Sequence, residues 1–582
     1  MPLMRWFGAS CLVFLAVQGL VVWQDILPYG HGALFDADCY TRLLKVQQLL
    51  DGGGWFDAKV TALNAPYGLD MHWTRPFDIL LLVLMAPLAL GGDSQALWHA
   101  GLVVSPLLGL ATIAVLYRGL AGIIGGPAFL LSMVFFSLQR GIVQVFTFGR
   151  PDHHSLLLFA LAAAFSLLVG VVSGRKDKVM VPLGLTATLA VWVNPEGLLL
   201  VLVCLLVLGL RAIIQGGAAA RQLTAFALVM AAGILVALAV ERPAAEWLMV
   251  EYDRLSAFHA AIALVTLAVA VAGERLGGPR LVAYGAAACV GAVVLRLTFP
   301  DFFHGPFASV GPWGKRMVLD KVTELQPLWP NNPVAIFNAL MDLDGLPAAV
   351  LATGFLAWRA RGPLRAVALV NGAGLAVFIP SAAHVLREAP SVQLFFVVPM
   401  ALLVMAVFAW ARQARPVAAA GAAVATLLLV AGGDVGAATI HALHWQGLRL
   451  VTERNCDYSG LKAALDADGA GPDTLVMAFP LDDVGAVAWT TGRRSSGGPY
   501  HRDEMGIGDA MTLYGDEAPD ANAQGVAARR GARYVAVCRT MAVEKVSPSR
   551  LLVRLYRGRT PDWLERLDMP GGDPRVAAYR VR

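Results

Sequence analysis

Charge is what this sequence has least of. Only 15% of its 582 residues are Asp, Glu, Lys or Arg, whereas a soluble chain carries roughly 25%. The scarcity excludes a small soluble enzyme and a disordered chain, and 57% hydrophobic residues fit neither. The six cysteines form no CxxC pair and show no zinc-ligand spacing. The net charge of +5 gives no basic stripe on which to argue nucleic-acid binding. The missing charge is also unevenly distributed. Residues 1–444 hold 50 charged residues, whereas the much shorter stretch 445–582 holds 37. The first part therefore reads as membrane-embedded and the second as water-soluble.

A spanning helix needs about 20 largely apolar residues. Runs of this kind lie near 7–24, 96–117, 120–138, 155–173, 179–193, 198–214, 222–240, 257–273, 281–297, 345–358, 364–380, 392–411 and 416–433, thirteen in all. The first has no clear cleavage site after it, since Gln24-Asp25-Ile26-Leu27-Pro28 follows, and it reads as an uncleaved anchor. Residues 77–91 are apolar but short, and counting them as a span would invert everything downstream. Basic residues concentrate in cytoplasmic loops. With 77–91 lying on the outer membrane surface, Arg5, Arg118, Arg175-Lys176-Lys178, Arg211, Arg221, Arg275, Arg280, Arg359, Arg361, Arg365, Arg412 and Arg415 all fall on one side, fourteen in seven short loops. The N-terminus is then cytoplasmic and the C-terminal domain periplasmic or extracellular, in a multi-pass protein of the inner (cytoplasmic) membrane. The large outer loops are 25–95 and 298–344. The domains are 1–440, transmembrane, and 441–582, soluble. In the soluble part, Thr474–Phe479 and Arg533–Cys538 read as strands and Ala518–Arg530 as a helix, an α/β pattern. Cys456 and Cys538 both fall outside, where a disulfide is permitted.

Nearly all the remaining acids lie in the outer loops. Ionisable groups beside the apolar layer are costly unless paired or metal-bound, which makes them functional candidates. Four places stand out: Phe35-Asp36-Ala37-Asp38-Cys39-Tyr40-Thr41-Arg42, Gly149-Arg150-Pro151-Asp152-His153-His154, Asn194-Pro195-Glu196-Gly197, and Lys321-Val322-Thr323-Glu324-Leu325-Gln326-Pro327. Asp36, Asp38, Asp152 and His154 each fall within a turn or so of a span end, hence at similar depth. Two carboxylates and an imidazole at one depth suit a divalent cation, Mn²⁺ or Mg²⁺ rather than structural zinc. Such a cation would neutralise a phosphate on a lipid-linked substrate. Bland readings stand beside these: Asp152 as a helix N-cap, Glu324 and Asp38 as solvated loop carboxylates, Arg42 and Arg150 as ion-pair partners.

These motifs resemble the catalytic subunit of oligosaccharyltransferase in its archaeal and bacterial single-subunit form, within the GT-C glycosyltransferases. Asp36 with Arg42 is similar to the family's first acidic motif, Asp152-His153-His154 to its second, and Glu324 followed by Leu325-Gln326-Pro327 to its outer-loop motif. The resemblance implies a polytopic α-helical GT-C domain of about 13 transmembrane helices with a C-terminal external α/β domain. It implies a metal held by Asp36, Asp152, His154 and Glu324, with Asp36 or Asp38 and Glu324 touching the acceptor. Arg387, with Arg42, is the candidate for contact with the donor phosphate. Partners would be a polyprenyl-(di)phosphate-linked sugar, a protein, glycan or lipid acceptor, and membrane lipids. One motif departs. Where the family has Trp-Trp-Asp-Tyr-Gly to read the acceptor, this chain has Phe479-Pro480-Leu481-Asp482-Asp483-Val484-Gly485. Asp483, Tyr500 and His501 remain as acceptor-site candidates. A polyprenyl-monophosphate-sugar transferase acting on a lipid or surface polysaccharide is the alternative. A transporter or flippase fits less well, because transporters keep their ionisable groups near the midplane.

Overall fold

The computed structural model describes residues 2–23, 33–174, 179–305, 307, 310–327, 339–442, 456–515, 520–539 and 550–582. The Arg175-Lys176-Lys178 loop and the Gln24–Pro28 stretch, both used above to orient the chain, lie outside the described residues.

All thirteen apolar runs are helical. Among the described residues, nine helices are long and apolar enough to cross a membrane, and a bent pair, Leu386–Leu394 with Val397–Ala411, makes a tenth at an angle of 50°. The other three are shorter: Gly126–Leu138, Met180–Val193 and Pro416–Ala431. Such segments must be helical in lipid, where every backbone amide needs an internal partner. Two details depart from the hydropathy reading. The run expected at 120–138 starts only at Gly126, because Gly125 turns the chain at φ +85° and the preceding helix continues to Ile124. The bend before Val397 has a local cause, since Pro399 lacks the amide that would continue the ladder to residue 395.

The first helix, α1 (Pro2–Trp23), is followed by α2 (Ala37–Leu50). Asp36 caps α2, its backbone extended and its carboxylate accepting from the Cys39 amide at 3.1 Å. α2 buries Cys39, Leu43 and Val46 and, less usually, Arg42 and Lys45. A short hairpin, β1 (Lys59–Val60) and β2 (Leu69–Asp70), leads to α3 (Arg75–Leu90), the segment in doubt above. Only the first turns of α3 are buried, at Arg75, Phe77, Asp78 and Leu81.

The C-terminal domain is a five-stranded mixed sheet in the order β4-β3-β5-β7-β6, with β3 Leu475–Phe479, β4 Arg494–Ser495, β5 Ala532–Cys538, β6 Leu564–Arg566 and β7 Val576–Val581. β3 runs parallel to β4 and β5, and β7 antiparallel to β5 and β6. The two expected strands are its centre, and the expected helix is present as Asp520–Arg530. The antiparallel half was not foreseen. The domain is seated on the outer loops. Ser495 exchanges backbone hydrogen bonds with Ala62 and Ala65, so the first outer loop extends the sheet edge. The helix Val484–Thr491 lies on α2 at Gly485, where a Cβ would stand 3.2 Å from Thr41 Oγ1. Trp489 stacks on Trp98 at 6.0 Å.

Cys456 and Cys538 form a disulfide, which closes a separation of 82 residues. Closing a loop of that length removes ~4 kcal/mol of entropy from the unfolded chain. Cys538→Ser, or reduction, should therefore lower the unfolding midpoint of the soluble domain in the full-length protein. Calorimetry of the intact chain with and without a membrane-impermeant reductant checks this, and identical midpoints would refute it.

Candidate functional site

Two backbone hydrogen bonds assemble the acidic motifs. The Phe35 amide donates to the Gly149 carbonyl at 3.0 Å, joining the loop before α2 to the loop before helix His154–Val172. The Leu386 amide donates to the Gln326 carbonyl at 3.1 Å, joining the Glu324 turn to Arg387. Gln326 itself donates to the Leu319 and Val322 carbonyls, so it closes the turn and leaves Glu324 to face outward.

The side chains then form one chain of contacts. Arg150 lies between Asp36 and Asp152, at 3.8 and 3.3 Å. Asp152 accepts from the Nδ1 atoms of His153 and His154, at 2.8 and 3.0 Å. His154 Nε2 is 3.7 Å from Glu196. Arg387 reaches Glu196 at 3.5 Å and pairs closely with Glu324. Asp38 sits on the first turn of α2 beside this set, with Tyr500 of the soluble domain against it. Arg150, His154, Glu196, Glu324 and Arg387 line a cavity of ≈ 200 Å³, along with Arg140, Glu388 and the apolar Val145, Leu157, Leu158 and Pro390.

Five carboxylates here face two guanidiniums, and the electrostatics follow from that excess. Burial raises the Asp38 pKa to about 8, with Asp36, Asp152 and Glu324 adding repulsion that Arg387 only partly offsets. Burial also raises Asp36, with Arg150 opposing and Asp152 reinforcing. Asp152 moves the other way: burial would raise it, but the two histidines hold it well below the ordinary value. Burial disfavours charge on Glu196 too, yet His154 and Arg387 bring it down to about 2. The cluster thus lacks positive charge at its Asp36–Asp38 end. His154 Nε2 is buried without a hydrogen-bond partner. An imidazole nitrogen among hard oxygen donors suits a divalent cation; the ligand atoms that lie within 4.8 Å of one another here are those of Asp152, His153 and His154, a group that includes neither Asp36 nor Glu324.

Other candidates lie elsewhere. Arg42 is 1% exposed and committed to Asp78 at 2.9 Å and to the Trp73 ring, so no phosphate can reach it. Asp483 accepts from the Tyr458 hydroxyl. His501 pairs with Asp253 at 2.7 Å, in a separate cluster. Arg140, Arg150 and Glu196 line the cavity without having been assigned to it. Arg150 was noted as an ion-pair partner, and Glu196 stood among the four candidate places without a role in the metal or phosphate site. The Gly149–Asp152 spacing already put Arg150 next to the metal motif, but nothing local marks Arg140.

Comparison with solved structures agrees with this architecture. The archaeal oligosaccharyltransferase AglB from Archaeoglobus fulgidus, in complex with an inhibitory peptide and a dolichol-phosphate, matches with a TM-score of 0.67 at 14% identity over 92% of this chain and 69% of that one. The chain shares the fold of that enzyme. The same archaeal enzyme in complex with Zn and sulfate matches at a TM-score of 0.59 and 16% identity, over 92% of this chain and 68% of that one. ArnT from Cupriavidus metallidurans, in the apo state, aligns over 98% of this chain and 97% of that one at 13% identity, with a TM-score of 0.44. No protein-family model and no curated protein matches the sequence. At these identities the likeness is one of fold: a bundle of apolar helices carrying a C-terminal sheet domain.

Proposed function

We propose that this chain is a membrane glycosyltransferase that moves a glycan from a polyprenyl-(di)phosphate donor to an acceptor on the outer side of the inner membrane. One observation carries this reading: the acid-rich cluster opens onto a cavity that presents three guanidiniums, Arg140, Arg150 and Arg387, beside the apolar Val145, Leu157, Leu158, Leu386 and Pro390. A lipid-linked phosphate needs that combination, with apolar walls for the prenyl chain and cations for the head group. AglB was solved with a dolichol-phosphate and, separately, with a tethered peptide containing the NVT sequon, which supports donor and acceptor of these kinds.

Arg387 and Arg150 contact the donor phosphate in this reading, and Arg140 stands at the rim. Asp36, Asp152, His154 and Glu324 would hold a divalent cation, Mn²⁺ or Mg²⁺, which would supply positive charge to neutralise the departing phosphate. The acceptor nucleophile attacks the anomeric carbon from the side opposite the phosphate. The new bond to carbon forms as the carbon–oxygen bond to the lipid phosphate breaks, so the configuration inverts. The acceptor's proton passes to Asp38, whose pKa of about 8 suits a base that works near neutrality.

The acceptor is the open half. The segment 479–485 holds no tryptophan, Asp483 is tied to Tyr458, and Gly485 is pressed against α2. This favours a second reading, in which a polyprenyl-monophosphate sugar is transferred to a lipid or surface polysaccharide. Membranes given a polyprenyl-linked donor together with an Asn-x-Thr peptide or a lipid or glycan acceptor distinguish the two readings. We expect transfer to hydroxyl-bearing lipid or glycan, with the peptide poorly used. Efficient asparagine glycosylation of the peptide would reverse that order. No transfer from either class of donor would refute the function.

A further inference from the structure

A second cluster of metal-ligating side chains lies outside the acidic site. His72 follows β2 in the first outer loop, Asp253 lies in the loop between helices Ala218–Glu241 and Ala257–Arg275, and His501 belongs to the soluble domain. One ligand atom from each falls within 4.8 Å of the others. His501 Nε2 is 2.7 Å from Asp253 Oδ2, with their side chains 10% and 16% exposed. The His72 and His501 rings are 4.8 Å apart. Trp73 and Phe307 flank the pair, which limits water.

A histidine–aspartate ion pair would explain two of these residues but not the third. His72 Nδ1 is buried and has no hydrogen-bond partner. Such an atom carries a desolvation penalty that nothing in the protein offsets. The histidines are not needed for charge balance either. Arg242, Arg254 and Arg502 already meet Asp70, Glu251 and Asp253 in one network. Both imidazoles stand beside a carboxylate that Arg502 holds in place, its Nε 2.8 Å from Oδ2, the oxygen that His501 also faces. Oriented carboxylates and imidazoles are what a metal centre requires of its surroundings.

We infer that His72, Asp253 and His501 form a transition-metal site, of zinc type, that pins the soluble domain to two outer loops of the membrane domain. Two histidines and one carboxylate suit Zn²⁺, with water as a fourth ligand. The site is separate from the acidic cluster and does not depend on the proposed chemistry.

The test uses the full-length protein in detergent, stripped with a chelator and titrated with ZnCl₂, with bound metal measured by mass spectrometry. His72→Gln removes only an unpartnered nitrogen, so its fold should be unaffected. We expect His72→Gln and His501→Gln each to lose about one equivalent of zinc relative to wild type. Asp152→Asn, at the other cluster, should keep that equivalent. Cobalt in place of zinc should give the visible bands of a tetrahedral centre in wild type and not in His72→Gln. Zinc should also raise the unfolding midpoint of wild type and leave that of His72→Gln unmoved. Wild type that takes up no zinc, or His72→Gln that takes up as much as wild type, would overturn the inference.

Discussion

Glu324→Gln should lower glycan transfer by ~10²–10⁴-fold, the range expected when a charged group acting on the reacting atoms is removed. The thermal unfolding of the chain should stay near wild type. The two effects separate because of where Glu324 sits. Its side chain is 44% exposed, on a single turn of 3₁₀ helix, and among the described residues it pairs with Arg387. An ion pair that open to solvent is worth ~0–1 kcal/mol. Burial opposes ionisation, but Arg387 and His154 keep the Glu324 carboxyl below its ordinary pKa, so glutamine removes a full negative charge at neutral pH. The turn itself is preserved by Gln326, which does not touch the cavity. Transfer from a polyprenyl-linked donor in reconstituted membranes reads the first effect, and calorimetry reads the second. Near-normal transfer would remove Glu324 from the site, and with it the reading of the outer-loop motif.

Much of this was legible because membrane spans and short motifs are local signals. A run of apolar residues must become a helix in lipid whatever its neighbours are, so all thirteen segments could be read before any contact was known. Asp36 and Asp152 could be picked out for a related reason, since acids are scarce in this chain and these lie near span ends, whereas Glu324, in mid-loop, stood out through the Glu324-Leu325-Gln326-Pro327 motif. What was not legible depends on distant pairing. Glu196 looks like a turn acid until His154 and Arg387, 42 positions before it and 191 after it, close on it. Arg42 looks like a phosphate ligand until Asp78 claims it. His501 sits in a glycine-rich loop that suggests an acceptor site, but Asp253, in another domain, draws it away. Strand β6 is only three residues long and β7 (Val576-Ala577-Ala578-Tyr579-Arg580-Val581) has no regular alternation, so only the pairing of β7 with β5 and of β6 with β7 defines them.

Asp78→Ala should prevent accumulation of folded protein. Asp78 is fully buried at the start of α3 and accepts from three cations: Arg42 at 2.9 Å, Lys45 at 2.7 Å and Arg75 at 3.2 Å. All three side chains are nearly inaccessible to solvent. Breaking one buried pair costs ~3–5 kcal/mol, because the remaining charge is stranded. Three cations stranded together approach the whole stability of a typical domain, ~5–15 kcal/mol. Each has other contacts: Arg75 donates to the Trp55 carbonyl, Lys45 to the Trp73 carbonyl, and Arg42 lies over the Trp73 ring. These orient the cations without neutralising them. Lys45 gives the most specific test. Burial lowers its pKa to about 8 from an ordinary 10.5, with Arg42 and Arg75 adding to the shift and Asp78 opposing it. A base depressed on folding binds fewer protons in the folded state, so its contribution to stability rises with pH across that window. Without Asp78 the depression deepens and the window extends below 8. The double variant Asp78→Ala with Lys45→Met, one cation fewer, should therefore accumulate better than Asp78→Ala alone. Any Asp78→Ala protein recovered should unfold at a higher temperature at pH 9 than at pH 6. Yields and unfolding midpoints of the detergent-extracted chain measure both. Normal accumulation of Asp78→Ala would mean that the cations find water, and α2 would then not be anchored in the way that places Asp36 and Asp38 beside Asp152.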